Sequence, residues 1–141
     1  MPLFPKKVKF RKWHTARRNP NKPKVATRGV VLNFGSLGLK AETPGRIRSN
    51  QIEAARKTIA RQMQKRGKLW IRIFPDRPFT AKPAEVGMGK GKGDPQGYEV
   101  QVWPGRIIFE LDGIPDDIAR EALRKAGAKL PIKTKIISRE I

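Results

Sequence analysis

The order of apolar and polar positions changes character several times between residues 28 and 141, and each change marks a short element. Val30-Val31-Leu32 and Leu37-Gly38-Leu39 bracket Phe34-Gly35-Ser36, which predicts two strands joined by a tight turn. From 50 to 66, Ile52, Ala55, Ile59 and Met63 recur at three- and four-residue spacing, which predicts a helix with one apolar face. Asn50 is its expected N-cap, with Glu53 three residues on, and Gly67 its expected stop. Leu69 to Phe74 alternate as a strand, with Leu69, Ile71 and Ile73 on one face and Trp70, Arg72 and Phe74 on the other. Ile71 is the safer core residue of that strand. Tyr98–Val102 and Ile107–Leu111 alternate again across Trp103-Pro104-Gly105, a hairpin turn by composition. A second helix is expected from Pro115 to Ala126. Asp116 and Asp117 suit its positive end, Arg124 and Lys125 its negative end, and Ile118, Ala122, Leu123 and Ala126 form its buried face. Gly127 ends it, and Ile132 to Ile137 reads as a last strand. The series β-β-α-β-loop-β-β-α-β predicts an α+β two-layer domain, a small mainly antiparallel sheet packed with two helices.

Two stretches escape this pattern. Residues 1–27 carry nine basic side chains, no acid and four prolines, and no helical or strand period survives. An extended basic arm is expected there, without a core of its own. Residues 75–97 form a long connection with Pro75, Pro78, Pro83, Pro95 and five glycines. Connections of this length in small domains are usually functional or disordered. The division expected is therefore an arm, 1–27, and a single α+β domain, 28–141, carrying a long loop at 75–97. What remains outside arm and loop suffices for one small core.

Charge turns this outline toward function. There are 32 Lys and Arg against 12 Asp and Glu, a net +20 in 141 residues. Self-repulsion at this level calls for a polyanionic partner, and nucleic acid is the usual one. The excess is graded. Residues 1–50 hold 13 basic side chains against Glu42 alone, whereas residues 98–141 hold eight against seven acids. A gradient argues for a directional contact rather than general solubility. No run of about 18 apolar residues is present to span a bilayer, and no basic helix has the apolar face of an interfacial anchor. Met1-Pro2-Leu3-Phe4-Pro5-Lys6-Lys7 lacks the apolar stretch of a secretory signal, and there is no cysteine. The expected compartment is cytoplasmic.

Candidate contacts follow from chemistry. In the arm, Phe4, Phe10 and Trp13 are interleaved with Lys6, Lys7, Lys9, Arg11, Lys12, Arg17 and Arg18, beside the sole histidine, His14. Aromatics among cations serve base stacking together with phosphate pairing; the plainer reading is a solubilising tail. Lys57, Arg61 and Lys65, spaced i, i+4, i+8, form a basic row on the first helix. Like charges so placed repel in isolation, and phosphate contact would relieve them; a merely solvated face is the alternative. Gly87-Met88-Gly89-Lys90-Gly91-Lys92-Gly93 lets the backbone approach another surface closely while supplying charge. It fails the P-loop pattern, having no Gly-Lys-Ser/Thr. One histidine and no cysteine leave no nucleophile pair or metal cluster, and Asp116 and Asp117 are explained as helix-start residues. No enzyme and no cofactor are expected. Nor is there a helix-turn-helix, zinc-finger or leucine-zipper signature, so a folded RNA fits better than a regular DNA groove.

Several stretches resemble the bacterial large-subunit ribosomal protein L-sixteen family: Phe34-Gly35-Ser36-Leu37-Gly38-Leu39-Lys40-Ala41, Gln51-Ile52-Glu53-Ala54-Ala55-Arg56, Gly67-Lys68-Leu69-Trp70-Ile71-Arg72-Ile73-Phe74-Pro75-Asp76, Met88-Gly89-Lys90-Gly91-Lys92-Gly93 and Ala128-Lys129-Leu130-Pro131-Ile132-Lys133-Thr134. Their order and spacing match over about residues 6–137. The resemblance implies an α+β body bound to 23S rRNA beside neighbouring large-subunit proteins. It implies a loop near 80–93, with Lys82, Met88, Gly89, Lys90, Gly91, Lys92 and Gly93, directed toward tRNA and the peptidyl-transferase region. It also implies a supporting role, steadying tRNA near the aminoacyl-tRNA site while RNA performs the chemistry, with no small-molecule substrate and no membrane partner. An RNA chaperone or assembly factor is the alternative. Gly87 stands where the family usually has arginine, so that contact is not carried over, and the stretch around Pro20 to Val25 is longer than the usual arm.

Overall fold

The computed structural model describes residues 25–80 and 95–139. Seven strands and two helices occur among them, in the order β1 (Leu37–Ala41), β2 (Gly45–Arg48), α1 (Ser49–Met63), β3 (Lys68–Ile71), β4 (Arg77–Thr80), β5 (Pro95–Val102), β6 (Ile107–Asp112), α2 (Asp116–Gly127) and β7 (Thr134–Ser138). All pairings are antiparallel. They make two sheets rather than one, β3-β6-β1-β7 and β2-β5-β4. The α+β class holds.

One apolar core joins these layers. Leu37, Leu39 and Ala41 of β1 meet Phe109 and Leu111 of β6, and α1 and α2 pack together over them. α1 buries Ile52, Ala55, Ile59 and Met63, the face its spacing predicts. α2 buries Ala119, Ala122, Leu123 and Ala126; Ile118 is only partly covered, and Ala119 takes its expected place. The small alanines let the two helices approach closely.

Several boundaries differ from the expectation, each for a physical reason. Val30–Leu32 is not a strand. The donors just after it turn inward to a carboxylate, described below, instead of to a neighbouring strand. Trp103-Pro104-Gly105 is a turn, with Gly105 at φ +99°, but not a hairpin. It carries the chain from one sheet to the other, because β5 pairs with β2 and β4 while β6 pairs with β3 and β1. β2 is a strand the pattern did not disclose. β4 lies inside the expected loop; its Pro78 is tolerated because β4 is an edge strand. β3 stops at Ile71, although Ile73 beyond it is still buried.

The ends of α1 also move. The N-cap is Arg48, not Asn50, and its backbone N–H donates to Gln51 Oε1 at 2.8 Å. At the other end Gln64 and Lys65 adopt left-handed φ of 52° and 65°, so the helix closes before Gly67. Lys65 is therefore not on the helix.

Candidate nucleic-acid interface

The sequence-derived contacts divide three ways. Lys6, Lys7, Lys9, Arg11, Lys12, Trp13, His14, Arg17 and Arg18 of the arm, and Lys82, Met88, Gly89, Lys90, Gly91, Lys92 and Gly93 of the loop, lie outside the described residues. Lys57 and Arg61 are exposed one turn apart on α1, and neither forms an ion pair with another described residue. Lys65, expected to extend that row, leaves it through its left-handed backbone.

The structure replaces the broken row with a groove. Thr58, Arg61 and Gln62 of α1 face Arg124, Lys125, Ala128 and Lys129 at the end of α2, around a cavity of about 410 Å³. Four cations, Arg61 of α1, Arg124 and Lys125 of α2 and Lys129 in the turn after it, thus line one cleft. Arg124 and Lys125 are partly engaged by Glu121, Lys125 at 3.8 Å. The Arg124 guanidinium holds the Glu121 carboxyl below its ordinary value. Arg61 and Lys129 make no ion pair with a described residue. In sequence, Arg124 and Lys125 read only as complements to the helix dipole, and Lys129 did not stand out. What joins them to Arg61 is the closeness of two helix ends, which requires the tertiary fold.

A second, larger groove of about 750 Å³ runs between residues 25–28 and the ends of β3 and β5. Arg28, Arg72, Arg106, Phe74 and Trp103 line it, with Asp76 as its acid. Arg106 donates to Arg72 O at 2.7 Å and to Arg28 O at 3.2 Å, while its Nε has no acceptor. Burial, with the nearby Arg72 charge, pulls the Arg106 guanidinium below its ordinary value. Gly29, at φ +66°, packs against it; a Cβ there would fall 2.8 Å from the guanidinium carbon.

Beside this groove lies a buried ion pair. Glu110 of β6 is fully buried between the apolar Phe109 and Leu111. Its Oε1 accepts the backbone N–H groups of Asn33, Phe34 and Gly35 at 2.9, 2.9 and 3.0 Å. Its Oε2 is bound by Arg72, which also donates to Val31 O at 3.3 Å. Burial pushes the Glu110 carboxyl up, but the Gly35 and Phe34 N–H groups and Arg72 outweigh it, and the net displacement is downward. The trace of this pair in the sequence is an acid set between Phe109 and Leu111; its partners lie far along the chain.

Among the described residues no three His, Cys, Asp or Glu side chains converge as a metal site would need. Asp112 accepts from Ser36 Oγ and the Gly113 N–H, and Asp116 pairs with Arg120 at 2.7 Å. No described helix is long and apolar enough to cross a membrane.

Comparison with known proteins gives a consistent answer. The profile of the family described as Ribosomal protein L16p/L10e matches residues 5–137. The large ribosomal subunit protein uL16 of Caulobacter vibrioides is 58% identical over 137 residues, covering 97% of this chain and 93% of that protein. Its counterpart in Rhodospirillum rubrum is 56% identical, covering 97% and 96%. That of Zymomonas mobilis is also 56% identical, covering 97% and 93%.

Proposed function

We propose a function from one premise: this chain belongs to the ribosomal protein L16p/L10e family. It is a structural component of the large ribosomal subunit in the cytoplasm, and not an enzyme. Its finer role is to bind 23S rRNA and to support tRNA near the aminoacyl-tRNA site and the peptidyl-transferase centre. The observation that carries the rRNA part is the groove between α1 and the end of α2, lined by Arg61 and Lys129, neither of which forms an ion pair with a described residue. Cations left so in a chain of net +20 are matched by phosphates.

The arm, residues 1–27, adds the electrostatic reach, with its aromatics stacking on bases. The stretch between β4 and β5, with Lys82 and the Gly87–Gly93 run, faces tRNA. Its glycines permit close backbone approach, and Lys90 and Lys92 reach phosphates. The domain 28–141 holds both in register.

The test is reconstitution of large subunits with altered protein. Deleting residues 1–27 flattens the slope of log affinity against log salt by several units, at about 0.7–0.9 for each phosphate left unneutralised. Gly89→Val with Gly91→Val, or neutral Lys90 and Lys92, leaves occupancy nearly intact and slows single-turnover peptidyl transfer. Collapse of occupancy makes the loop an assembly anchor instead. A chain present during assembly but absent from mature subunits is an assembly factor.

A further inference from the structure

Holding an irregular segment in one conformation costs chain entropy, and most loops are left to solvent. The backbone N–H groups of residues 33–35 are not. Three successive backbone N–H groups converge on one buried carboxylate oxygen of Glu110. The loop also lies tight on β6. The Ser36 N–H donates to Leu111 O at 3.0 Å, and a Cβ on Gly35 would fall 2.5 Å from that oxygen. A buried carboxylate–guanidinium pair carries a desolvation cost that apolar packing would avoid, so what it contributes here is a fixed geometry.

What the geometry fixes is an outward-facing ring. Phe34, at the centre of the loop, is 52% exposed. It stacks on Trp70, centroids 5.8 Å apart and planes 19° from parallel, and the Arg72 guanidinium lies 5.2 Å from its centroid. Trp70 of β3 and Arg72 just beyond it thus brace the ring while about half of the residue stays exposed. Its flanks are polar and exposed. They include Asn33, Ser36, Asp112 (turned to Ser36 Oγ) and Arg139, which donates to Leu32 O at 3.4 Å. Val31 is the other exposed apolar side chain of the segment. A single braced ring among polar groups fits one planar base with hydrated edges; an apolar protein patch would need a broader apolar counterpart.

We propose that Phe34, backed by Trp70 and Arg72, is a stacking platform for one unpaired nucleobase of the RNA this chain binds. The proposal rests on the rRNA-binding reading above and adds a site to it. Stacking on an aromatic face tolerates any base, so the platform positions an RNA loop or bulge and reads little sequence.

The test uses the full chain and large-subunit particles lacking it. Binding of the unaltered protein checks the rRNA reading itself; if it does not bind, both readings fall. If it binds, Phe34→Leu weakens affinity about 5- to 150-fold, the range for losing one base stack, and Phe34→Trp restores it. Leucine binding as well as phenylalanine overturns the platform while leaving the rRNA reading intact. Should Phe34→Leu unfold the chain in a denaturant melt, a photoreactive replacement decides. Phe34→p-benzoylphenylalanine, irradiated in the assembled subunit, cross-links to a narrow set of rRNA nucleotides. Cross-linking to a neighbouring protein, or to nothing, overturns the proposal.

Discussion

The helical layer and the segment 28–36 are both held in one arrangement, by opposite means. α1 and α2 are held by shape: each buries a stripe of apolar side chains, and alanines set their spacing. The segment 28–36 is held by charge, with Glu110 gathering three N–H groups and Arg72 closing the pair. The two means fail differently. Removing atoms from a packed face leaves a cavity that partly relaxes. Removing one partner of a buried pair leaves the other charged and unmatched.

The largest effect should therefore come from Glu110→Ala. It strands Arg72 and three backbone donors together, with an expected loss of about 3–5 kcal/mol in a denaturant melt. A loss near ~1 kcal/mol, the size of an ordinary hydrogen bond, would mean that water satisfies these groups and that the segment is not held by charge. Leu123→Ala, in the core under α2, should cost about 2–5 kcal/mol, with the lower end expected if the surrounding alanines close in. A value under half a kcal/mol would break the comparison from the other side.

These two residues also show what sequence could disclose. Leu123 was legible because its neighbours in the core recur along its own helix, and the same holds for Ile52, Ala55, Ile59 and Met63. The 28–36 segment was not, because its holding group lies 75 to 77 residues away in sequence. Val30-Val31-Leu32 has strand composition, but the N–H groups just after it go to Glu110 and not to a neighbouring strand. The sheet division was hidden for a like reason: Trp103-Pro104-Gly105 specifies a turn but not which strands pair after it. β4 was obscured by Pro78, which marks a breaker until its place at a sheet edge is known. Of the candidate interface, Lys57 and Arg61 could be read from spacing, whereas the groove beside them needs α2 brought alongside.

Acid separates the two regions without any deletion. Glu110 titrates below its ordinary value of 4.5 in the folded chain, so the folded state favours its carboxylate. Its contribution is complete above the unfolded value and is lost as pH falls through the folded one. The helical core has no comparable buried acid among the described residues. Melts from neutral pH down to about pH 3 should show Glu110→Gln less stable than the unaltered chain at neutral pH, with the gap narrowing toward the acid end. Leu123→Ala should run parallel to the unaltered chain throughout. A constant gap for Glu110→Gln would mean that the carboxyl titrates alike in the folded and unfolded chain, so that the segment draws no stability from its charge.

The smallest effect sharpens the comparison within the helical layer itself, where packing is shared but charge is not. On α2, Arg120 is matched by Asp116 four residues earlier, and Arg124 by Glu121 three residues earlier. On α1, Glu53 engages Arg56, while Lys57 and Arg61 are left without an ion pair to a described residue. A paired surface cation is already partly neutralised by its neighbour; an unpaired one meets a phosphate undiminished. Neutralising each in turn should barely move stability, since all are exposed. The difference lies in the salt dependence of binding to large-subunit particles. Arg61→Gln should lower the slope of log affinity against log salt by about 0.7–0.9, the share of a single phosphate, and Lys57→Gln by no more than that. Arg120→Gln should leave the slope where it was. Equal slopes for all three would show that the two helices present the same surface to RNA, and that the scarcity of carboxylates on α1 serves solubility rather than binding.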